Sequence, residues 1–142
     1  MGGNTLIMSP DKDELLCNKY PEIFKDRYAD MTMTAMCWGF ECGNGWFKII
    51  DELCQELMDL STQIDPPVIP VATQVKEKFG TLRFYVSGAT DAQFDAIDKA
   101  ESKSAVTCEV CGEPGKMRGK SWLYTACDEH TDPNDLFVDN TD

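Results

Sequence analysis

Apolar side chains recur at helical spacing most regularly in the stretch from about Gly45 to Leu60. The positions that share one face of such a helix are Trp46, Ile49, Ile50, Leu53, Cys54, Leu57 and Leu60. Charged residues fall mostly on the other side, which is the pattern of an amphipathic helix packed on a core. We expect Asn44 to cap this helix, and Pro66 and Pro67 to prevent its continuation.

A second helix signal lies near the N-terminus. Ser9 is placed to cap it, Pro10 is tolerated at the first helical position, and the residue before Pro21 avoids the helical conformation. Residues 29–45 show no clear period. Their methionines and aromatic residues are nevertheless too apolar for a solvated loop, so we expect this stretch to pack on the core.

A third helix signal is a capping box, in which two side chains bind each other's backbone amides. Thr90 and Gln93 have the required spacing. The helix that begins there is expected to end near Ser104. The residues expected on its buried face are Phe94, Ile97 and Ala100.

Two strands are expected between the helix at about 45–60 and the helix that begins at Thr90. In Leu82–Val86 apolar and polar side chains alternate strictly, as on a strand with one buried face. Val71–Val75 is the other strand, and Lys76–Gly80 would connect the two as a hairpin. A helix over Val71–Phe79 remains an alternative, because its apolar residues also fit a helical period.

The strongest chemical signal is a pair of chelating motifs near the C-terminus. Cys108 and Cys111 are separated by two residues, as are Cys127 and His130, and fifteen residues (112–126) lie between the two pairs. This spacing predicts a structural zinc ion, Zn²⁺, held tetrahedrally by three thiolates and one imidazole. The segment between the pairs is long enough for one β-hairpin, with a turn near Gly119.

Together these elements predict an α+β fold. Helices are expected to pack on a small antiparallel sheet, and a zinc-ribbon-like β-hairpin follows the last helix. We expect residues 1–131 to form a single domain that includes the zinc hairpin at 105–131. Residues 132–142 carry four acidic residues and no basic one, and are expected to form a flexible acidic tail.

Net charge narrows the range of partners. The 142 residues carry a formal charge of −12, which repels free DNA and attracts a basic protein surface. The N-terminal residues lack the features of a signal peptide, and no apolar run approaches the roughly 20 residues of a membrane span. We therefore expect a protein of a reducing cytoplasm.

Four of the seven cysteines lie outside the chelating motifs, namely Cys17, Cys37, Cys42 and Cys54. Because a reducing compartment does not favour disulfides, we expect these residues to be free thiols. Packing as small apolar side chains is the favoured interpretation. A second metal site and a reactive nucleophile are the alternatives that remain open.

Basic residues concentrate in two stretches. Residues 71–86 and residues 112–126 each contain three basic residues and one acidic residue, a local charge of +2. If the two hairpins lie side by side, they form one cationic edge that either protects edge strands or contacts phosphate. The candidate anion or nucleic-acid contacts are Lys76, Lys78, Arg83, Lys116, Arg118 and Lys120.

Common catalytic mechanisms find few of their residues in this chain. His130 is the one histidine of the sequence, and as a zinc ligand it does not act as a general base. Four protein ligands also close the ion against a catalytic water. There is no Walker A loop, dinucleotide-binding fingerprint or zinc deaminase motif. The sequence favours a protein that is not an enzyme, with a carboxylate- or thiol-based site as the enzymatic alternative.

Three blocks of the sequence are distinctive, namely Cys37–Trp46, Gln74–Tyr85, and Thr107–Gly112 together with Cys127. Together they resemble a family of small, mostly uncharacterised proteins encoded by bacteriophages and prophages, with a C-terminal zinc-ribbon-like motif. The resemblance spans roughly residues 20–130. It implies synthesis in the cytoplasm of a bacterial host, and it assigns no catalytic or binding residue.

The resemblance favours a non-enzymatic phage accessory protein that binds a host or anti-phage defence protein and modulates it, by inhibition in the simplest case. The alternative is a small zinc-containing regulator that binds nucleic acid through the basic residues named above. A phosphate binder loses affinity steeply as salt rises, so a salt series separates the two hypotheses.

Overall fold

The computed structural model describes residues 6–30 and 34–135, and these residues adopt an α+β fold as predicted. They contain three α-helices and two small sheets, with short 3₁₀ turns between some of the elements. None of the helices in these ranges is long and apolar enough to cross a membrane. The elements are helix α1 (Pro10–Lys19), strand β1 (Phe40–Glu41), helix α2 (Phe47–Ser61), strands β2 (Val71–Lys78) and β3 (Thr81–Ser87), helix α3 (Asp91–Ser104), and strands β4 (Lys116–Arg118) and β5 (Tyr124–Ala126).

The central sheet has the strand order β1-β2-β3. Strands β2 and β3 form the predicted antiparallel hairpin, so the alternative helix over Val71–Phe79 is wrong. Because β2 continues to Lys78, the turn consists of Phe79 and Gly80 alone. Strand β1 pairs parallel to β2, which makes the sheet mixed rather than purely antiparallel. The pattern does not predict β1, since two residues are too few to show a period.

Helix α2 supplies the core face that the periodicity predicts. Every residue of that face is buried except Leu60, which is half-buried. The helix begins at Phe47 rather than at Gly45, since Asn44–Trp46 form a 3₁₀ turn. Asn44 does not cap α2 as expected, because its side-chain oxygen accepts a hydrogen bond from the Ser9 amide at 2.9 Å. This bond ties the start of α1 to the start of α2.

Helix α3 lies along the outer edge of β3. The Leu82 amide on that edge donates to Ser104 Oγ at 2.8 Å, and the Phe84 amide donates to Glu101 Oε2 at 3.0 Å. Unpaired amides on an edge strand invite pairing with another chain. The helix therefore satisfies this edge with side chains instead of a further strand.

The capping box at the start of α3 is confirmed, with both hydrogen bonds present. Ile97 and Ala100 are buried as predicted, whereas Phe94 is 45% exposed, so that part of the prediction is wrong. The inward position is taken by the preceding residue, Gln93, which is fully buried. Its side-chain amide donates to the Val68 carbonyl at 2.8 Å, which satisfies the buried polar group.

The N-terminal segment is held to the core by a partly buried ion pair. Helix α1 ends before Pro21, as predicted. Asp13 of α1 and Arg27 lie 2.9 Å apart, and Arg27 also donates to the Cys37 carbonyl at 2.9 Å. The described part of the stretch at 29–45, for which the sequence shows no clear period, thus packs on the molecule through its backbone as well as through buried apolar side chains.

Within that stretch, burial is uneven. Met36 and Phe40 are buried, as expected for a segment that packs on the core, but Trp38 is 58% exposed. Met31 and Met33, for which the same packing is expected, lie outside the described residues.

The acidic tail expected at 132–142 is described as far as Asp135. The Asp132 amide donates to the Tyr124 hydroxyl at 3.0 Å, and this hydroxyl donates in turn to the Asp135 carboxylate. The first residues assigned to the tail are therefore in contact with β5. Residues 136–142 lie outside the described residues.

Candidate metal centre

The chelating motifs are joined by the hairpin that the spacing predicts. Strands β4 and β5 pair antiparallel, with Met117 opposite Thr125. Gly119 begins the turn with a φ of +88°, and a Cβ there would lie 2.1 Å from the Trp122 carbonyl oxygen. Only glycine fits this backbone without displacement. The sequence pattern predicts pairing of residues 116–118 with residues 122–126, and the second strand begins at Tyr124, two residues later than this prediction.

The four predicted ligands come together at the open end of this hairpin. Their donor atoms all lie within 4.8 Å of one another. Cys111 Sγ is 3.8 Å from Cys127 Sγ, and His130 Nδ1 is 3.6 Å from Cys108 Sγ and 3.2 Å from Cys127 Sγ. Donor atoms around a tetrahedral ion with bonds of about 2.0–2.3 Å are about 3.5–3.8 Å apart. The cluster can therefore hold a metal ion.

The backbone around Cys108 stabilises its thiolate. Although burial raises the pKa of Cys108, the amides of Cys127, Cys111 and Val110 donate toward the sulfur and bring its pKa below the ordinary value. The turn that aims these amides is closed by the Gly112 amide, which donates to the Cys108 carbonyl at 2.9 Å. A metal ligand must be deprotonated, so this local geometry favours binding.

Cys111 is the exposed member of the pair. The Glu113 amide lowers the pKa of Cys111, but local desolvation and the neighbouring thiols of Cys108 and Cys127 together raise it to about 11. Thiolates that lie this close together repel one another, and a bound cation would neutralise their negative charge.

The second chelating pair is supported by side chains of the hairpin. The His130 amide donates to the Cys127 carbonyl at 3.2 Å, and Thr131 Oγ1 donates to the same carbonyl at 2.6 Å. Arg118 lies beneath this turn, where it donates to the Ala126 carbonyl at 3.2 Å and pairs with Asp128 at 2.7 Å. These bonds orient the ligands, as the hydrogen bonds around the ligands of other metal sites do.

The centre is attached to the core through the residues just before and within the first chelating pair. The Gly45 amide donates to the Glu109 carbonyl at 2.8 Å, and the Gly43 amide donates to Glu109 Oε2 at 2.9 Å. The Trp46 indole donates to the Thr107 carbonyl at 2.9 Å. The sequence does not predict this role of Glu109 in joining the centre to the core. The only local signal for it is its position inside the Cys-x-x-Cys turn.

The six basic residues predicted as anion contacts differ in their exposure and in their pairing. Lys76 and Arg83 are directly opposite each other on β2 and β3, while Lys78, Lys116 and Lys120 are exposed. Arg118 is 3% exposed and is committed to Asp128. The Thr125 hydroxyl donates to the Gly80 carbonyl at 2.6 Å, so the two hairpins are in contact, as a shared cationic edge requires.

The remaining cysteines are separate from the metal centre. Cys17, Cys42 and Cys54 are buried, and burial raises the pKa of each. Cys37 is half-buried. Within the described residues, Cys108, Cys111, Cys127 and His130 form the one group of three or more potential ligands. The arrangement agrees with a packing role for the buried thiols.

Comparison with protein-family models, with curated proteins and with solved structures found no match for this chain. The class of the site follows from its own geometry. Three sulfurs and one imidazole nitrogen lie within 4.8 Å of one another, and together they can fill a four-coordinate shell.

Proposed function

We propose that this protein is a non-enzymatic binding module, held together by one structural zinc ion, that acts by contacting a partner protein in a bacterial cytoplasm. The closed cluster of Cys108, Cys111, Cys127 and His130 carries the proposal. Four protein donors leave no coordination position for a substrate or an activated water. An ion bound there stabilises a surface and takes no part in a reaction.

Zinc is the ion that the donor set favours. Thiolate sulfur and imidazole nitrogen are soft to borderline ligands, and Zn²⁺ accepts their tetrahedral arrangement without a geometric preference of its own. The test is elemental analysis of protein purified without chelator, with substitution by Co²⁺ to report the geometry. One zinc per chain and a tetrahedral Co²⁺ spectrum are expected. Metal-free protein with the fold intact would contradict the proposal.

Two properties support a protein partner. The net charge of −12 favours a basic protein surface and speeds association with it. Large apolar side chains are also exposed on the hairpin tips, among them Phe79 and Trp122. Exposed aromatic residues are enriched in protein interfaces. In the context that the phage-protein resemblance implies, the partner is a host or defence protein whose activity is modulated, by inhibition in the simplest case.

One observation favours the nucleic-acid alternative. Lys76 and Arg83 face each other across two strands, and the Nε atom of Arg83 is buried without a hydrogen-bond partner. Like charges placed directly opposite are unfavourable unless an anion lies between them. Arg118 weakens this alternative, because its guanidinium is already paired with Asp128.

A single capture experiment separates the two functions. Immobilised full-length protein is exposed to host lysate with and without nuclease, and retained proteins are identified by mass spectrometry. The Lys76→Gln variant is the matched control, because it removes the cation opposite Arg83. A partner retained after nuclease treatment and by this variant supports a protein interaction. Retention that needs nucleic acid and falls steeply with salt would establish the alternative.

A further inference from the structure

The β4–β5 hairpin together with its four candidate ligands is here called the metal hairpin. Two adjoining cavities lie between the β2–β3 turn and the metal hairpin, with volumes of about 340 and 440 Å³. Glu77 and Trp122 line both cavities, so the two meet at these side chains; the pair of cavities is here called the hairpin groove. The hydrogen bond from Thr125 to Gly80 holds the two hairpins in this relative position. The groove is therefore built into the fold and does not depend on a loop closing over it.

The end of the groove beside the metal centre is acidic. Its lining includes four carboxylates and no lysine or arginine among the described residues. These carboxylates belong to Glu77, Glu109, Glu129 and Asp132. Three thiolates around a divalent ion would add a net charge of about −1 next to them. This end of the groove thus attracts a cation.

Glu109 is the most buried of these four carboxylate residues, with only 5% of its surface exposed. Its Oε2 accepts the Gly43 amide, yet no described lysine or arginine forms an ion pair with Glu109 or with Glu77. Burying a carboxylate without a counter-ion costs free energy. A cation that enters the groove would recover part of that cost.

The other end of the groove presents aromatic side chains, and it is also lined by Lys76 and Lys78, so the cation is expected at the acidic end. Trp122 is 46% exposed and Phe79 is 65% exposed. Phe79 also has a φ of +55°, in a turn position that ordinarily favours asparagine, aspartate or glycine. Within the described residues the Lys78 ammonium lies 5.6 Å from the centroid of the Phe79 ring, but most of the ring faces solvent and is not buried in the core. A contact made by its ring with another molecule would explain why it stands there.

We propose that the hairpin groove binds a segment of a partner protein through an arginine side chain, an inference that rests on the proposed function. The flat guanidinium stacks on the Trp122 indole while its N–H groups donate to the carboxylates of Glu77 and Glu129. An apolar residue next to that arginine rests on Phe79. Arginine suits the groove better than lysine, because its planar fork can stack and donate at once.

The direct test uses the full-length, metal-loaded protein labelled with ¹⁵N. N-acetyl-arginine methylamide is titrated in, with N-acetyl-glutamate methylamide at the same ionic strength as control. Ala126 is one of the residues that line the acidic end, and its amide signal is the reporter. A saturable shift with the arginine probe alone is expected. No saturable shift, or an equal response to both probes, would overturn the proposal.

Matched variants locate the site. Trp122→Leu and Glu129→Gln should each weaken the arginine probe roughly fivefold or more, since each removes one of its contacts. Trp38→Leu and Glu14→Gln replace exposed residues of the same types that do not line the groove, and should leave binding unchanged. An equal loss in the control variants would overturn the assignment, provided that metal content is the same in all proteins.

A partner protein identified in the capture experiment provides a second, independent test of the groove. Its affinity should fall roughly fivefold or more for Trp122→Leu and stay constant for Trp38→Leu. A partner that binds both variants as tightly as the wild type would overturn the groove and leave the proposed function standing.

Discussion

At the scale of single residues, two glycines determine how closely the metal centre approaches the core. A Cβ on Gly45 would lie 2.1 Å from the Cys108 carbonyl oxygen, and one on Gly43 would lie 2.3 Å from the Glu109 carbonyl oxygen. Neither distance is compatible with a side chain, and the atoms in the way are backbone atoms that cannot rotate aside. Any substitution must therefore push the Cys-x-x-Cys turn away from α2.

Gly45→Ala should destabilise the protein by about 1–3 kcal/mol, as overpacking of a close contact does, and should also weaken metal affinity. Gly88→Ala is the matched control. Gly88 has a φ of +76°, but a Cβ added there would meet nothing within 4 Å, so its cost comes only from backbone strain, about 1–2 kcal/mol. Urea denaturation and chelator competition measure the two effects. Unchanged metal affinity in Gly45→Ala would show that the contact does not position Cys108.

The four ligands can be predicted from the sequence, whereas these glycines cannot. Cys108 and Cys111 are brought together by a local turn, so their spacing alone indicates a site. Gly45 and Glu109 meet only because distant segments pack together, and no short pattern records that approach. The prediction for Phe94 is wrong for the related reason that α3 has two adjacent candidates for its inward face, and packing selects Gln93.

At the scale of elements, α3 takes the place of a fourth strand on the central sheet. Ser104 is fully buried, and its hydroxyl accepts from the Leu82 amide at 2.8 Å while it donates to the Glu101 carbonyl. The hydroxyl therefore links the last turn of the helix to the strand edge. Removal of the hydroxyl would leave the Leu82 amide buried without a partner.

Ser104→Ala should cost about 1–3 kcal/mol of unfolding free energy, which is the penalty for a buried unsatisfied amide. Ser102→Ala is the matched control on the same helix, because Ser102 is exposed and should change stability by less than about 0.5 kcal/mol. Chemical denaturation measures both values. Hydrogen exchange at Leu82 should also be faster in Ser104→Ala. If the two variants are equally stable, α3 does not protect this edge.

The longer elements are predictable because each one repeats its pattern several times. Helix α2 shows two full repeats of its apolar face, and β3 shows strict alternation over its length. Strand β1 has two residues and exists only through its pairing with β2, so the chain carries no local signal for it. The predicted start of α2 is too early for a similar reason, since Asn44 bonds to a residue 35 positions away.

At the scale of the whole molecule, the metal hairpin is hydrogen-bonded to the rest of the domain and is not merely appended after helix α3. Gly45, Trp46 and Gly80 each hydrogen-bond to the segment between Thr107 and Thr125. The sequence predicts the hairpin and its ligands but carries no sign of these contacts, which join segments far apart in the chain. Opening the metal centre must therefore disturb the packing at the N-terminal end of α2 as well.

Removal of the metal should lower stability throughout the domain, with the largest local effect in the hairpin. Structural zinc in small modules contributes of order 10 kcal/mol to folding. On chelation, hydrogen exchange should accelerate first at the Cys108 and Glu109 amides, which donate to Glu113 and Thr125. The interior of α2 should exchange more slowly than these amides, because its buried face remains packed.

Single cysteine variants separate the metal centre from the other thiols. Cys127→Ser removes a ligand and should release the metal, lower the melting temperature and expose the hairpin to proteolysis. Cys37→Ser alters a thiol of similar burial outside the cluster, so it should retain one metal ion per chain and a melting temperature close to that of the wild type. Elemental analysis, thermal denaturation and limited proteolysis report the three effects. A Cys127→Ser protein that keeps its metal and its hairpin protection would refute the assignment of Cys127 as a required ligand, since the remaining three ligands would then suffice.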